Sequence, residues 1–537
     1  MTIELSSITF TPEADIFPVS GEEDIVNTAI ANTFAGNDTI TGTGEKSSDV
    51  YNPGSEYGIK NSSTLNTAEG NDIITGRGDP GGIHNTGTFN TAEGDDIITA
   101  SAGRYGQGMV NSGKFNTAEG DDKISAGAGF TGLENSGTFN TGDGNDTIQG
   151  SSYKSTGMSI AKGSILDTGK GNDRISGSGY YTGIFNASFD FNTGDGDDTI
   201  EGSGTFSAGI SNVGHINTGK GKDKIIADGG TLGPYDTNAV PSLYNSSTID
   251  TGDGEDIITV SGAIRNEGII DTGDRDDIIT GSGHVSYTGN QLSGISNKST
   301  IDTGNGNDSI IAKGGLMSFS GSTIFGRALS NFSTIETGNG EDIITATGGI
   351  ENNGMIDTGD DDDIITGSSS LYLIYDNGIQ NKGTNGIENK GTINTGNSND
   401  SIIAEGLFIG TGGTINTGNG KDTITSNKGI ENQGKINTGD GADFIIATGG
   451  FKGTGSVFLG NGKDYLNGFG TGNFNGGNNE DTLELPSGTY TVGKSGATVS
   501  FTNKGVIMYT SEFEKLIAGT KTYNFTSLTD TQTIVVA

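Results

Sequence analysis

Eighteen aspartates recur in one local setting: Asp38, Asp72, Asp96, Asp122, Asp146, Asp173, Asp198, Asp223, Asp256, Asp277, Asp308, Asp342, Asp363, Asp400, Asp422, Asp443, Asp464 and Asp481. Each closes a stretch such as Asn416-Thr417-Gly418-Asn419-Gly420-Lys421-Asp422-Thr423-Ile424. If the stretches stack as successive coils, the carboxylates form one file about 5 Å apart. At that spacing like charges repel by roughly 3 kcal/mol per neighbouring pair at an effective dielectric near 20. Such a file needs a cation between its members. Carboxylate and carbonyl oxygens in flexible turns suit Ca²⁺, and the glycines let backbone carbonyls come close to it.

The residues Thr303-Gly304-Asn305-Gly306-Asn307-Asp308-Ser309-Ile310 resemble the haemolysin-type (RTX, repeats-in-toxin) calcium-binding motif G-G-x-G-x-D-x-U-x. The resemblance covers nearly all of residues 32–483. It implies Ca²⁺ held between coils by glycine carbonyls and the aspartate. Carried over, the ligand positions are Gly304, Gly306 and Asp308 in one repeat, Gly418, Gly420 and Asp422 in another, and Gly460, Gly462 and Asp464 in a third. Thr replaces the first Gly of the family pattern in most copies. The next glycine is lost at Phe34, Ala68, Ala92 and Ala118, and the one after it at Arg275, Asp361, Ser398 and Asn479. One motif per period implies one ion column.

The elements that must hold this file are legible from a second marker. Asn61, Asn85, Asn111, Asn135, Asn186, Asn212, Asn245, Asn266, Asn297, Asn331, Asn352, Asn389 and Asn432 precede the motif aspartates by 11 residues in twelve of thirteen cases, and by 12 from Asn186 to Asp198. These asparagines read as backbone-bonding turn residues. The return step varies: 10 residues from Asp342 to Asn352, 23 from Asp308 to Asn331, 26 from Asp363 to Asn389. Insertions therefore emerge at one corner. β-Branched runs between Gly and Asn predict short strands, with no helical periodicity. Leu65, Phe89, Ile216 and Ile415 before the motif, and Ile74, Ile98, Ile226 and Ile424 after it, are the expected core. The fold class is all-β: a parallel β-helix or β-roll solenoid of about 18 coils, one per motif, with a small β-rich C-terminal domain. Residues 1–31 read as an N-terminal cap, 32–483 as repeats, and 484–537 as a β-rich cap. The polar-then-apolar Asp530-Thr-Gln-Thr-Ile-Val-Val-Ala537 also resembles the signal of type I secretion.

Composition sets the remaining bounds. The 537 residues include 96 Gly, no Cys and no Trp, and carry a net charge of −38. Such acidity disfavours nucleic acid and anionic membrane as partners, and the lack of Cys excludes thiolate metal sites. No stretch is long and apolar enough for a membrane span, and the start, Met-Thr-Ile-Glu-Leu-Ser-Ser-Ile, lacks the pattern of a signal peptide. The three histidines (His84, His215, His284) lie in different repeats, and no nucleophile motif appears, so the chain is read as a non-enzyme. The expected function is a secreted calcium-binding repeat protein with a structural, surface or adhesive role, folding on Ca²⁺ outside the cell. Its expected partners are calcium ions, a type I secretion apparatus and cell-surface polysaccharide, the inserted loops such as Leu371–Tyr375 being contact points. Two alternatives stand: a polysaccharide lyase or epimerase on a β-helix, or an ice-binding solenoid using the threonine column Thr67, Thr91, Thr117, Thr141, Thr193 and Thr417.

Overall fold

Alternation of apolar and small polar residues over runs of three to six makes strands too short to stand alone, so each must pair with the next copy of itself. The structure, a computed structural model, bears this out. It describes all residues except 1, 19–23, 45–56, 230–239, 286–290, 320–321, 369–372, 376–377 and 381–385. The chain forms two compact units, Met1–Asp274 and Arg275–Ala537. In both, the architecture is a parallel β-solenoid with three short strands per coil.

A coil of the first unit runs through an asparagine strand (Gln107–Asn111), a pre-loop strand (Lys114–Asn116) and a post-loop strand (Lys123–Ala128). Each pairs in parallel with its counterpart one coil on: Met109 with Leu133, Phe115 with Phe139, Ile124 with Ile148. The second unit repeats the plan with Ile350–Asn352, Met355–Asp357 and Ile364–Ser368, where Ile350, Ile356 and Ile365 pair with Ile387, Ile393 and Ile402. One large side chain per strand points inward, so Met109, Phe115 and Ile124 form a single buried layer. Layers stack like with like. Phe89, Phe115 and Phe139 lie with ring centroids 4.8 and 4.5 Å apart.

Leu65, Phe89, Ile216, Ile415, Ile74, Ile98 and Ile424 are buried as expected. Ile226 is not. Strand alternation from Asp223 sends Lys224 and Ile226 outward and buries Ile225, so the core position lies one residue earlier. The long Asn186-to-Asp198 step has an equally local cause. Three residues, Ala187 to Phe189, separate strands that two residues separate in coils such as that of Asn111, and the surplus is absorbed by Phe189, which is 54% exposed.

Insertions leave the coil between the post-loop and asparagine strands. In the second unit they form antiparallel hairpins: His284–Val285 with Gln291–Leu292, Leu316–Phe319 with Ser322–Phe325, and Leu373–Tyr375 with Gly378–Gln380. Leu371 and Tyr372 lie outside the described residues. Beyond the repeats, antiparallel pairs join the stack, while Val506–Ser511 and Lys515–Ala518 still pair in parallel with the last coil. Gly488–Ser495 pairs with Thr498–Asn503 and with Thr533–Val536, burying Tyr490, Val492, Phe501, Ile534 and Val536. Ser511 to Ile517 holds a bend at Glu512 (φ 57°) that joins Val506–Ser511 to Lys515–Ala518.

Candidate metal centre

The loop between the pre-loop and post-loop strands holds the motif. Its aspartate comes immediately before the post-loop strand, and its side chain turns inward. All eighteen are at most 2% exposed, from Asp38 through Asp256 in the first unit and from Asp277 through Asp481 in the second.

Burial of so many carboxylates calls for donors, and the neighbouring coil supplies one apiece. The backbone N–H of Asp38 donates to Oδ1 of Asp72 at 2.8 Å, and that of Asp72 to Oδ1 of Asp96 at 2.8 Å. The pattern continues through Asp122, Asp146, Asp173, Asp198, Asp223 and Asp256 at 2.7–2.9 Å. In the second unit it runs from Asp277 through Asp308, Asp342, Asp363, Asp400, Asp422, Asp443 and Asp464 to Asp481 at 2.7–3.0 Å. Oδ1 is thus a structural acceptor tying coil to coil.

Oδ2 is different. In Asp38, Asp72, Asp96, Asp122, Asp146, Asp173, Asp198, Asp223, Asp308, Asp342, Asp363, Asp422, Asp443, Asp464 and Asp481 it is buried with no donor in hydrogen-bonding geometry. At Asp400 the hydroxyl of Thr395 donates to it at 2.8 Å. In some coils the same threonine, five residues before the aspartate, serves the next coil: Thr117 donates to the Thr141 carbonyl at 3.1 Å, Thr417 to that of Thr438 at 3.2 Å, and Thr395 also to that of Thr417 at 3.4 Å. Thr67, Thr91, Thr117, Thr141, Thr193 and Thr417 are fully buried, so this column does not face bulk water as an ice-binding array would.

A bare buried carboxylate resists ionisation. Burial, opposed in part by the nearby threonine and the backbone N–H and reinforced by neighbouring carboxylates, pushes Asp122 and Asp363 up to about 8. The same causes raise Asp72, Asp96 and Asp342 to about 7. Desolvation comes first in every case.

The glycines fix what else can reach the site. Gly304, Gly418 and Gly460 have φ of 75°, 91° and 106°, and Gly420 and Gly462 have φ of 138° and 156°. A Cβ on Gly338 or Gly340 would strike the carbonyl oxygen of Gly304 or Gly306, and one on Gly418 that of Gly396. Loop carbonyls therefore point at the next loop, and only a bare backbone fits against them. Where glycine is replaced, the backbone stays left-handed: Phe34, Ala68, Ala92 and Ala118 have φ of 59–69°, and Arg275, Asp361, Ser398 and Asn479 have φ of 89–102°. The loop conformation is imposed by the stack rather than by the residue.

These donors fit a hard cation: ionisable oxygens lacking a hydrogen, beside close-set carbonyls. Among the described residues no three His, Cys, Asp or Glu side chains gather into one cluster. An ion here would rest on one or two carboxylates, completed by main-chain carbonyls and water. On the outer side of the loop a second ladder runs the other way, with the N–H of Asn71 donating to Oδ1 of Asn37 and that of Asn145 to Oδ1 of Asp121, at 2.9 and 2.8 Å. Those side chains are exposed to solvent.

No family model matches the chain, and no curated protein aligns with it. Among solved structures it is similar to the X-ray crystal structure of a hyperactive, Ca²⁺-dependent, β-helical antifreeze protein from an Antarctic bacterium. The two share 17% identity over 78% of this chain and 84% of that one, with a TM-score of 0.29.

The asparagine marker is a separate device. Where asparagines stack, Nδ2 donates to Oδ1 of the next one, at 2.8 Å for Asn61, Asn85 and Asn111, and to a main-chain carbonyl beyond it. Ile160 and Ile409 interrupt the column, and there Asn135 and Asn389 donate to the main-chain carbonyls of Ile165 and Thr414. Asn27, ahead of the first repeat, heads this ladder. Asp15 holds the motif position one coil before Asp38, its N–H donating to Asp38 Oδ1 at 2.8 Å. The histidines do not converge: His84 lies half-buried against the Tyr57 ring in an asparagine strand, His215 lies in a pre-loop strand, and the side chain of His284 is outside the description.

Proposed function

We propose that this chain is a secreted, calcium-binding structural protein whose coils fold as Ca²⁺ enters the aspartate file. The observation that carries it is the buried, hydrogen-poor Oδ2 repeated from coil to coil. A protein that meant only to bond backbone N–H groups would do so with asparagine. Gly304, Gly306 and Asp308, and their counterparts at Gly418, Gly420, Asp422 and Gly460, Gly462, Asp464, are the oxygen donors. The ion supplies positive charge where fully ionised carboxylates would otherwise repel.

In this reading the acidic chain is unfolded where calcium is scarce, leaves by a type I secretion route, and folds outside by mass action. Its role there is structural or adhesive, toward cell-surface polysaccharide, and it has no catalytic activity. Circular dichroism across a calcium titration at pH 8, with metal analysis of the folded protein, tests the reading. Full β structure in excess chelator, with no metal retained, would sink it.

A second reading has one observation behind it. In the second unit the outward files of the post-loop sheet run Ile278, Ser309, Ile343, Ile364, Ser401, Thr423, Phe444 and Thr280, Ile311, Thr345, Thr366, Ile403, Thr425, Ile446. They carry no charge in a chain of net charge −38. A flat, neutral array of this kind suits an ordered surface such as ice, and an ice-recrystallisation assay separates the two readings.

A further inference from the structure

The aspartate file does not stop at the last motif. The backbone N–H of Asp481 donates to Oε2 of Glu514 at 2.8 Å, the same relation in which Asp464 N–H stands to Asp481 Oδ1 at 2.9 Å. The strand register confirms the equivalence. Thr482 pairs with Lys515 and Leu483 with Leu516, so Glu514 occupies the place of the next motif aspartate. On the preceding strand Asn475 pairs with Ser511, which leaves two residues, Glu512 and Phe513, where the motif loop has five. The bend at Glu512 (φ 57°) closes this shortened loop.

We infer that Glu514 is a metal ligand, and that the cap shares a calcium ion with Asp481. This rests on the calcium reading of the file. The independent sign of a ligand is Asp481 itself, 0% exposed with a buried Oδ2 that no donor reaches. The threonine that stands five residues before most motif aspartates is replaced here by Gly476, and at Asp464 by Leu459, so no hydroxyl offsets the charge. Asp464 and Glu514 flank Asp481 in the file, one coil before it and one after. The cation next along the chain from Glu514, Lys515, is held by Glu480 at 2.6 Å. A divalent ion between Asp481 and Glu514 would complete the Asp481 Oδ2 that no donor among the described residues reaches. It also makes docking of the cap onto the repeats depend on calcium.

Hydrogen–deuterium exchange of the full-length protein during a calcium titration tests this, with Glu514→Gln as the variant. Glutamine keeps an oxygen for the Asp481 N–H but not the charge. In the wild type, amides of Thr482–Leu485 and Lys515–Ala518 gain protection on adding calcium. In Glu514→Gln the calcium midpoint for those amides rises at least tenfold, while that for the strand Thr423–Ser426 is unchanged. An unchanged midpoint at the junction overturns the proposal. So does equal loss of protection in calcium and in chelator, which marks a purely structural role. If no amide of the wild type responds to calcium anywhere, the calcium reading itself has failed.

Discussion

Two buried polar files run through the coils of each unit, and they differ by one atom type. The asparagine file closes its bonds within the protein: Asn331 donates to Asn352 Oδ1 at 2.9 Å and to the Met355 carbonyl at 2.7 Å, and where Ile160 and Ile409 interrupt the column Asn135 and Asn389 still donate to main-chain carbonyls. The aspartate file has acceptors only. It satisfies Oδ1 from the neighbouring backbone and, in most of its members, Asp363 among them, leaves Oδ2 without a hydrogen. A neutral ladder stabilises whatever the solution contains, because its bonds close within the protein. A carboxylate ladder is stable only when a proton or a cation completes it. The first file is architecture, and the second makes that architecture conditional.

The largest effect that could break this contrast is on pH dependence. Burial raises Asp122, Asp198 and Asp363 to about 8 and Asp72, Asp223 and Asp443 to about 7, well above an unfolded aspartate. Carboxylates raised in the folded state bind protons more tightly there, so their stabilisation is full below the unfolded value near 4 and is lost as pH rises through 6–8. Calcium-free protein should therefore melt at a lower temperature at pH 8 than at pH 5, with a shift far beyond that of any single substitution. Saturating calcium should reverse the order. Thermal melts at both pH values, with and without chelator, would show it, and a calcium-free melting point that rises with pH contradicts the carboxylate account.

A reciprocal swap comes next in size. Asn352→Asp removes both donated bonds, to Asn389 Oδ1 and the Thr392 carbonyl, and should cost about 3 kcal/mol in denaturant unfolding, with or without calcium. Asp342→Asn keeps an acceptor for the Asp308 N–H and supplies a hydrogen where Oδ2 had none. It should stabilise the calcium-free protein at pH 8 by about 1–2 kcal/mol and reduce the calcium bound. Equal behaviour of the two variants would erase the distinction between the files. The smallest effect sharpens it: Asp361→Gly, at φ 89°, should add about 1 kcal/mol or less by relieving a left-handed residue, independent of calcium.

Much of this was open to reading before any coordinates. The 11-residue step between Asn and Asp forces one backbone path, and alternation around Ile74 or Ile98 sets the inward face. What escaped reading had physical causes. Ile226 sits in an Ile-Ile pair where only register to Asp223 decides which one faces in. Glu514 was hidden because its loop is shorter and its residue type differs, so no spacing pattern marks it; only strand pairing does. Asp15 lies among residues without the motif's glycines and shows its place only through its bond to Asp38, whereas Asn27, 11 residues before Asp38, carried the repeat's own spacing and was overlooked. The division of labour between Oδ1 and Oδ2 follows from stacking geometry, which no single repeat contains.

Loops without their glycines, such as those at Ala92 and Asp361, keep the left-handed turn because the coils above and below dictate it. Each rung is thus cast in the mould of its neighbours, and its own letters are free to drift. The same property makes duplication of a coil tolerable at once, since a newly copied rung is shaped on arrival by the pair it lands between. Length and loop content become adjustable by recombination, while the interior chemistry is inherited unchanged.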